Sequence, residues 1–204
     1  MEDIMRTSLP VGLLVACLGM SGLALAQTAP LRNPSVQELK AALSASPAGG
    51  GLTRGFARTQ PPTQDGLCTQ TAPSAARSTG TRNLEVVAYA PQAAHVDLAV
   101  TFGNDSDALG ASSRQMLRTL AQALKSPDLA NRRFIIAGHT SDTGARERNM
   151  ELSCARAIAV RRYLLQAGVA PERISAYGFG PDKPLLPHDP AADDNRRVEI
   201  RVGE

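Results

Sequence analysis

From Arg82 onward the apolar residues fall into regular periods. Leu84, Val86 and Ala88 alternate, which predicts an edge strand. Val96, Leu98, Val100 and Phe102 alternate clearly and predict a strand with one buried face. A helix follows over 112–126, with Met116, Leu117, Leu120 and Leu124 as its stripe and Ser112 or Ser113 as its cap. Phe134-Ile135-Ile136-Ala137 is a short unbroken apolar run, as expected of a central strand covered on both faces. The next helix runs from about Arg146 to Ala167. Gly168 is placed to end it in a left-handed cap, with Val169 contacting back and Pro171 stopping it. Residues 173–178 predict another strand. A loop marked by Pro181, Pro184, Pro187 and Pro190 leads to Val198, Ile200 and Val202, which alternate again. Edge strand aside, the order is β-α-β-α-β-β. That order predicts an α/β sandwich, a mixed sheet with helices packed on it. Any parallel strand-helix-strand unit in it is expected to be right-handed.

Upstream the periods weaken. Ser35-Val36-Gln37-Glu38 has the form of a capping box, and Val36, Leu39, Ala42 and Leu43 give a short apolar face. So short a helix is unstable alone, so it reads as transient unless it docks on the domain or a partner. From Ser44 to Thr81, Ala, Gly, Pro, Ser, Thr and Gln dominate, with Gly49-Gly50-Gly51 and Pro61-Pro62. Such a stretch buries too little apolar area to offset its ordering entropy and reads as a disordered linker. Arg6 precedes an uncharged run from Leu9 to Ala26, and Ala24-Leu25-Ala26 fits a signal-peptidase site before Gln27. Leu14-Val15-Ala16-Cys17 also resembles a lipobox, in which Cys17 would carry the lipid of a lipoprotein. The expected organisation is a signal peptide over 1–26, a short helix and linker over 27–81, and one domain over 82–204.

Composition narrows the function classes. Aromatics make up 3% of the 204 residues and Trp is absent, which argues against a stacking platform for single-stranded nucleic acid. The net charge of +3 comes from scattered Lys and Arg, so no nucleic-acid partner is expected. The pairs Arg132-Arg133, Arg161-Arg162 and Arg196-Arg197 are short and separated, and read as solvated faces. Three Cys exclude a disulfide scaffold. If Cys17 leaves with the signal, Cys68 and Cys154 enter an oxidising compartment, where both a disulfide and two free thiols stay open.

The chemistry-bearing stretch is Gly138-His139-Thr140-Ser141-Asp142-Thr143-Gly144, between the central strand and the second long helix. Strand ends facing helix N-termini are where α/β sheets present ligand sites, and free backbone N–H groups there favour anions. Along the helix, Asn149, Ser153 and Arg156 share a face, and Val160 and Leu164 continue it as core. A polar patch at one end of a buried stripe either binds something or ties down a loop.

These residues match a known pattern. Gly138-His139-Thr140, Gly144, Asn149-x-x-Leu152-Ser153-x-x-Arg156-Ala157-x-x-Val160-x-x-Tyr163-Leu164, Gly168-Val169, Arg173, Gly178-x-Gly180 and Asn195-Arg196-Arg197-Val198-Glu199-Ile200 resemble the OmpA C-terminal-like domain family. Phe102, Ser106 and Leu109 are similar to its first strand and turn, and the resemblance covers about 93–203. It implies non-covalent binding of peptidoglycan, coupling it to the outer membrane. It also implies that an Asp after Gly-His-Thr takes the ammonium of diaminopimelate and the helix Arg takes a carboxylate. Here Ser141 stands in the place of that Asp. A hydroxyl cannot supply the charge, and losing a charge-assisted bond costs on the order of 1–3 kcal/mol. Asp142, one residue later, is the candidate replacement. The implied ligand-binding residues are Arg156, Asp142, Ser141, Thr140, Asn149 and Arg196. Parity places Arg196 on the face of Val198 and Ile200, with Arg197 opposite.

Two readings from other classes compete. An interaction or structural domain of an envelope assembly could keep the fold with weak or lost peptidoglycan affinity, as Ser141 suggests. An enzyme would need His139, Ser141 and Asp142 to converge, which residues so close in one loop rarely do, and no Gly-x-Ser-x-Gly surrounds Ser141. No catalytic residue is therefore expected, and His139 reads as a structural hydrogen-bonding residue of the turn. No cofactor or metal is expected either. His95 and His188 have no ligand-spaced partners, and Asp189, Asp193 and Asp194 lack calcium-loop spacing and read as solvated acids. The implied setting is the periplasm and outer membrane, reached by lipid or by a protein partner, with a homodimer left open.

Overall fold

The computed structural model describes residues 29–45, 68, 92–103 and 105–203. The export signal, Cys17, nearly all of the linker and the Leu84–Ala88 strand lie outside the described residues. The elements are α1 (Val36–Ser44), β1 (His95–Leu98), α2 (Ala111–Leu124), β2 (Arg133–His139), α3 (Arg146–Gln166), β3 (Ile174–Gly180) and β4 (Val198–Gly203). From β1 onward this is the expected β-α-β-α-β-β order. The sheet order is β1-β4-β2-β3. β4 is antiparallel to β1 and β2, and β2 is parallel to β3, so the sheet is mixed.

One sheet face carries the main core. Val96, Leu98, Phe134, Ile136, Ile174, Ala176, Val198 and Ile200 pack there against Leu117, Leu120, Leu124, Ala157, Val160 and Leu164 of α2 and α3. Glycines let α3 sit close to the sheet. A Cβ on Gly138 would lie 2.1 Å from the Ser153 carbonyl oxygen, and one on Gly178 would lie 2.6 Å from Cys154 Sγ. Gly168 caps α3 in the left-handed region (φ 88°). The Val169 N–H then donates to Leu164 O, which is the expected stop.

Two local readings are corrected. The first strand ends at Leu98 rather than Phe102, because the Thr101 backbone is engaged on both sides by Ser113 Oγ (2.8 and 2.9 Å). That engagement also removes Ser113 as a helix cap, and the N-cap of α2 is Gly110.

The capping box of α1 forms, with Ser35 N–H donating to Glu38 Oε2 at 2.7 Å and Glu38 N–H to Ser35 Oγ at 3.2 Å. This helix is docked rather than transient. Leu39 and Leu43 are fully buried, and their burial contributes about 1.5–3 kcal/mol each. Just upstream, Leu31 N–H donates to Asp97 O and accepts from Ala99 N–H through its own carbonyl, both at 2.8 Å. Lys40 Nζ meets Asp128 Oδ2 at 2.5 Å. Cys68 is joined to Cys154 of α3 by a disulfide, and its N–H donates to Ala176 O of β3.

The opposite sheet face is buried as well. Ile135, Ala137, Tyr177 and Phe179 form a second apolar cluster. Beside it lie buried ions: Arg197 Nε is 2.6 Å from Asp97 Oδ1, and Arg201 pairs with Glu199. The alternation of β4 is as expected, but its polar face is buried and internally paired instead of solvated.

Candidate functional site

A cleft of roughly 600 Å³ opens where β2 ends. Four pieces of chain build it. His139 to Ser141 come from the end of β2, and Asn149 and Arg156 from the N-terminal half of α3. The turn after β1 supplies Phe102 and Asp105, and the loop before β4 supplies Asp193, Asp194 and Arg196. The arm ahead of α1 adds Pro30 and Arg32.

Arg156 is 9% exposed. Its Nε donates to Ser106 O at 3.2 Å, and its guanidinium lies 5.0 Å from the Phe102 ring centroid, within cation–π range. These contacts orient the fork and leave its Nη groups without a protein partner among the described residues. No acid pairs with it there. Burial and the neighbouring Arg196 charge pull Arg156 below the ordinary arginine value. Asp105 pulls the other way without outweighing them.

Around it, Thr140 Oγ1 is buried with no hydrogen-bond partner. Ser141 Oγ lies 2.9 Å from Thr143 Oγ1 and 3.5 Å from Arg196 Nη1. Asn149 is a strut, donating from Nδ2 to Thr143 O at 3.0 Å to hold the loop. Ser153 is another, bonding Met150 O and accepting from Gly180 N–H. Asn195 pins the Pro-marked loop through Leu186 N–H, Asp189 O and Pro190 O.

Of the six expected ligand-binding residues, Arg156, Ser141, Thr140, Asn149 and Arg196 meet at this cleft, and Asp142 does not line it. Asp142 is exposed, and its N–H donates to Pro190 O at 3.1 Å. The backbone N–H groups of His139 and Thr140 are also engaged, by Arg197 O and Gly180 O. Those three amides are therefore spent within the fold. Arg196 and Arg197 diverge as parity requires, Arg196 beside Ser141 and Arg197 buried against Asp97.

His139, Ser141 and Asp142 do not converge. The His139 ring is buried, stacked on Phe179, with Nε2 3.3 Å from Glu199 Oε2. Burial lowers its pKa, outweighing the pull of Glu199. Burial pushes Glu199 up, but His139 and Arg201 outweigh it and hold the carboxyl well below its usual range.

Sequence reasoning missed the rim. Asp193 and Asp194 read as solvated acids, and Asp193 is indeed largely exposed, but both also stand at the cleft rim, with Asp193 against Arg196 and Asp194 3.5 Å from Arg32. Asp105 is chelated by Arg148 at 3.0 and 2.8 Å. The alternating Phe102 was a visible signal for the first wall. Nothing in the local pattern points to Arg32.

An α/β domain with a cationic cleft at the open end of its central strand defines the class. Residues 101–198 match the model of the OmpA family, and that stretch is an OmpA-family domain. A peptidoglycan-associated lipoprotein of Pseudomonas aeruginosa is 36% identical over 102 residues, covering 49% of this chain and 59% of that protein. The peptidoglycan-binding protein ArfA of Mycobacterium tuberculosis is 37% identical over 106 residues, covering 50% of this chain and 32% of its own length. The solved peptidoglycan-associated lipoprotein of Burkholderia pseudomallei is 34% identical, with 50% of this chain and 87% of that chain covered at a TM-score of 0.45. The chain thus spans about three fifths of the Pseudomonas relative's length and a third of the mycobacterial one.

Proposed function

We propose that this protein is a non-covalent peptidoglycan-binding module of the bacterial envelope, holding the diaminopimelate of the stem peptide in the Arg156 cleft. The observation that carries the reading is Arg156 itself: buried, oriented by Phe102 and Ser106, and without an acid partner among the described residues. A ligand carboxylate placed there completes a bidentate ion pair inside a partly desolvated cleft. Thr140, Ser141 and Arg196 stand beside it as further donors. The work is binding rather than catalysis, because the groups that could form a triad point apart. Relatives named as peptidoglycan-associated and peptidoglycan-binding proteins support this reading. Export by residues 1–26 and a periplasmic or outer-membrane site belong to the same proposal, with the domain at 82–204 joined by α1 and Cys68 from the 27–81 segment. Attachment to the outer membrane would come from lipid on Cys17 or from a protein partner. Ser141 favours one second reading, an envelope interaction domain with weak or lost wall affinity.

Co-sedimentation of residues 27–204 with purified diaminopimelate-type sacculi separates the two. The wild type is expected to pellet, and Arg156→Ala to lose about tenfold or more in affinity, the size of a lost charge-assisted pair. A folded wild type that stays in the supernatant would defeat the proposal in favour of the interaction domain.

A further inference from the structure

We propose that residues 30–32, which lie outside the stretch matched to the OmpA family, form a wall of the cleft, and that Arg32 there takes a second acid group of the ligand. This rests on the peptidoglycan reading above and extends it to the residue of the stem peptide beyond diaminopimelate.

The arm that carries Arg32 is fixed to the fold. Leu31 is bonded to β1 through Asp97 O and Ala99 N–H, both at 2.8 Å, and its bridge to Leu98 is parallel. A parallel course carries the next residue toward the end of β1, where Thr101, Phe102 and Asp105 line the cleft. Pro30 and Pro34 are buried on either side of Arg32. Pro30 has no N–H, so it closes the wall without an amide in need of a partner. The capping box of α1 begins three residues after Arg32, and Leu39 and Leu43 hold that helix in the core. The backbone of Arg32 is thus held from both sides.

Its side chain has donors to spare. Nη2 lies 3.5 Å from Asp194 Oδ1, with 72% of the Arg32 side chain exposed. So exposed a pair adds little to stability. Asp194 is the one ionic partner of Arg32 among the described residues. A guanidinium carries five N–H donors in a fork, so it can bond Asp194 and a ligand carboxylate at once. Arg156 and Arg32 stand at different depths, the first 9% exposed and the second at the mouth. A cleft of roughly 600 Å³ has room for more than one amino-acid residue. A peptide held by one acid at Arg156 extends outward past Arg32, where its next carboxylate meets a cation.

The test titrates the full chain calorimetrically with a stem peptide that carries one residue beyond diaminopimelate, its terminal carboxyl free or amidated. The wild type is expected to prefer the free acid by about fivefold, the size of an exposed ion pair. Arg32→Ala is expected to lose that preference and Arg32→Lys to keep part of it, with the melting temperature of both unchanged. Asp194→Ala separates contact from scaffolding. If Arg32 touches the ligand, removing the Asp194 carboxylate leaves the affinity equal or tighter. If Arg32 only braces the Asp194 loop, Asp194→Ala weakens binding as Arg32→Ala does, and the inference is overturned. It is overturned too if Arg32→Ala keeps the affinity and preference of the wild type while sacculi still bind, and the peptidoglycan reading then survives. If a folded wild type binds neither sacculi nor peptides, both fall.

Discussion

His139 shows how one residue beside the cleft ties stability to pH. Its imidazole is buried among Glu199, Arg197, Asp97 and Phe179, and burial lowers its pKa from the ordinary 6.5. The folded state therefore refuses a proton that the unfolded chain accepts. Its contribution is complete above the unfolded value and is lost as pH falls through that range toward the folded one. Glu199, also lowered, acts in the same direction further down, below its ordinary 4.5. The urea midpoint is expected to fall between pH 7.5 and 5, and His139→Gln is expected to flatten that part of the profile. A flat wild-type profile would refute the assignment. Single residues were unevenly legible. Arg156 could be read because helical offsets place it with Asn149 and Ser153. The direction of Asp142 could not, because a loop has no period, and its backbone is fixed by Pro190, 48 positions away in sequence.

At the scale of elements, the contact between α3 and the sheet sets the cleft's depth. Arg156 reaches the cleft because α3 approaches β2 and β3 over glycines rather than side chains. Gly138→Ala places a methyl 2.1 Å from a backbone oxygen, which no rotamer change relieves. The helix must shift, at a cost of about 1–3 kcal/mol. Thermal unfolding checks the loss, and sacculus binding is expected to weaken with it as Arg156 moves. An unchanged melting temperature would mean that the interface yields freely. Helices and strands were legible here because their periods are long and clean. The end of β1 was not, since alternation continues through Val100 and Phe102 while Ser113, a dozen positions on, takes the Thr101 backbone. The docking of α1 was equally hidden, because Leu39 and Leu43 show an apolar face without showing what it meets.

For the molecule as a whole, the disulfide between Cys68 and Cys154 closes a loop with a sequence separation of 86. Such a link removes chain entropy from the unfolded state and stabilises by about 2–4 kcal/mol. The double variant Cys68→Ser/Cys154→Ser is expected to unfold earlier in urea by that amount, and added reductant to have no further effect on it. Equal midpoints with and without reductant in the wild type would contradict this. The same two distant attachments have another consequence. Leu31 bonds along the outer side of β1, and Cys68 bonds to the outer side of β3. These are the two margins of the sheet, where unpaired amides and carbonyls would otherwise invite a strand from another molecule. Leu31 takes up part of one margin, and the Cys68 N–H takes one carbonyl of the other. Both contacts obstruct strand-to-strand templating between crowded copies, and a shortened form beginning near residue 92 would lose them and is expected to associate more readily through its sheet edges.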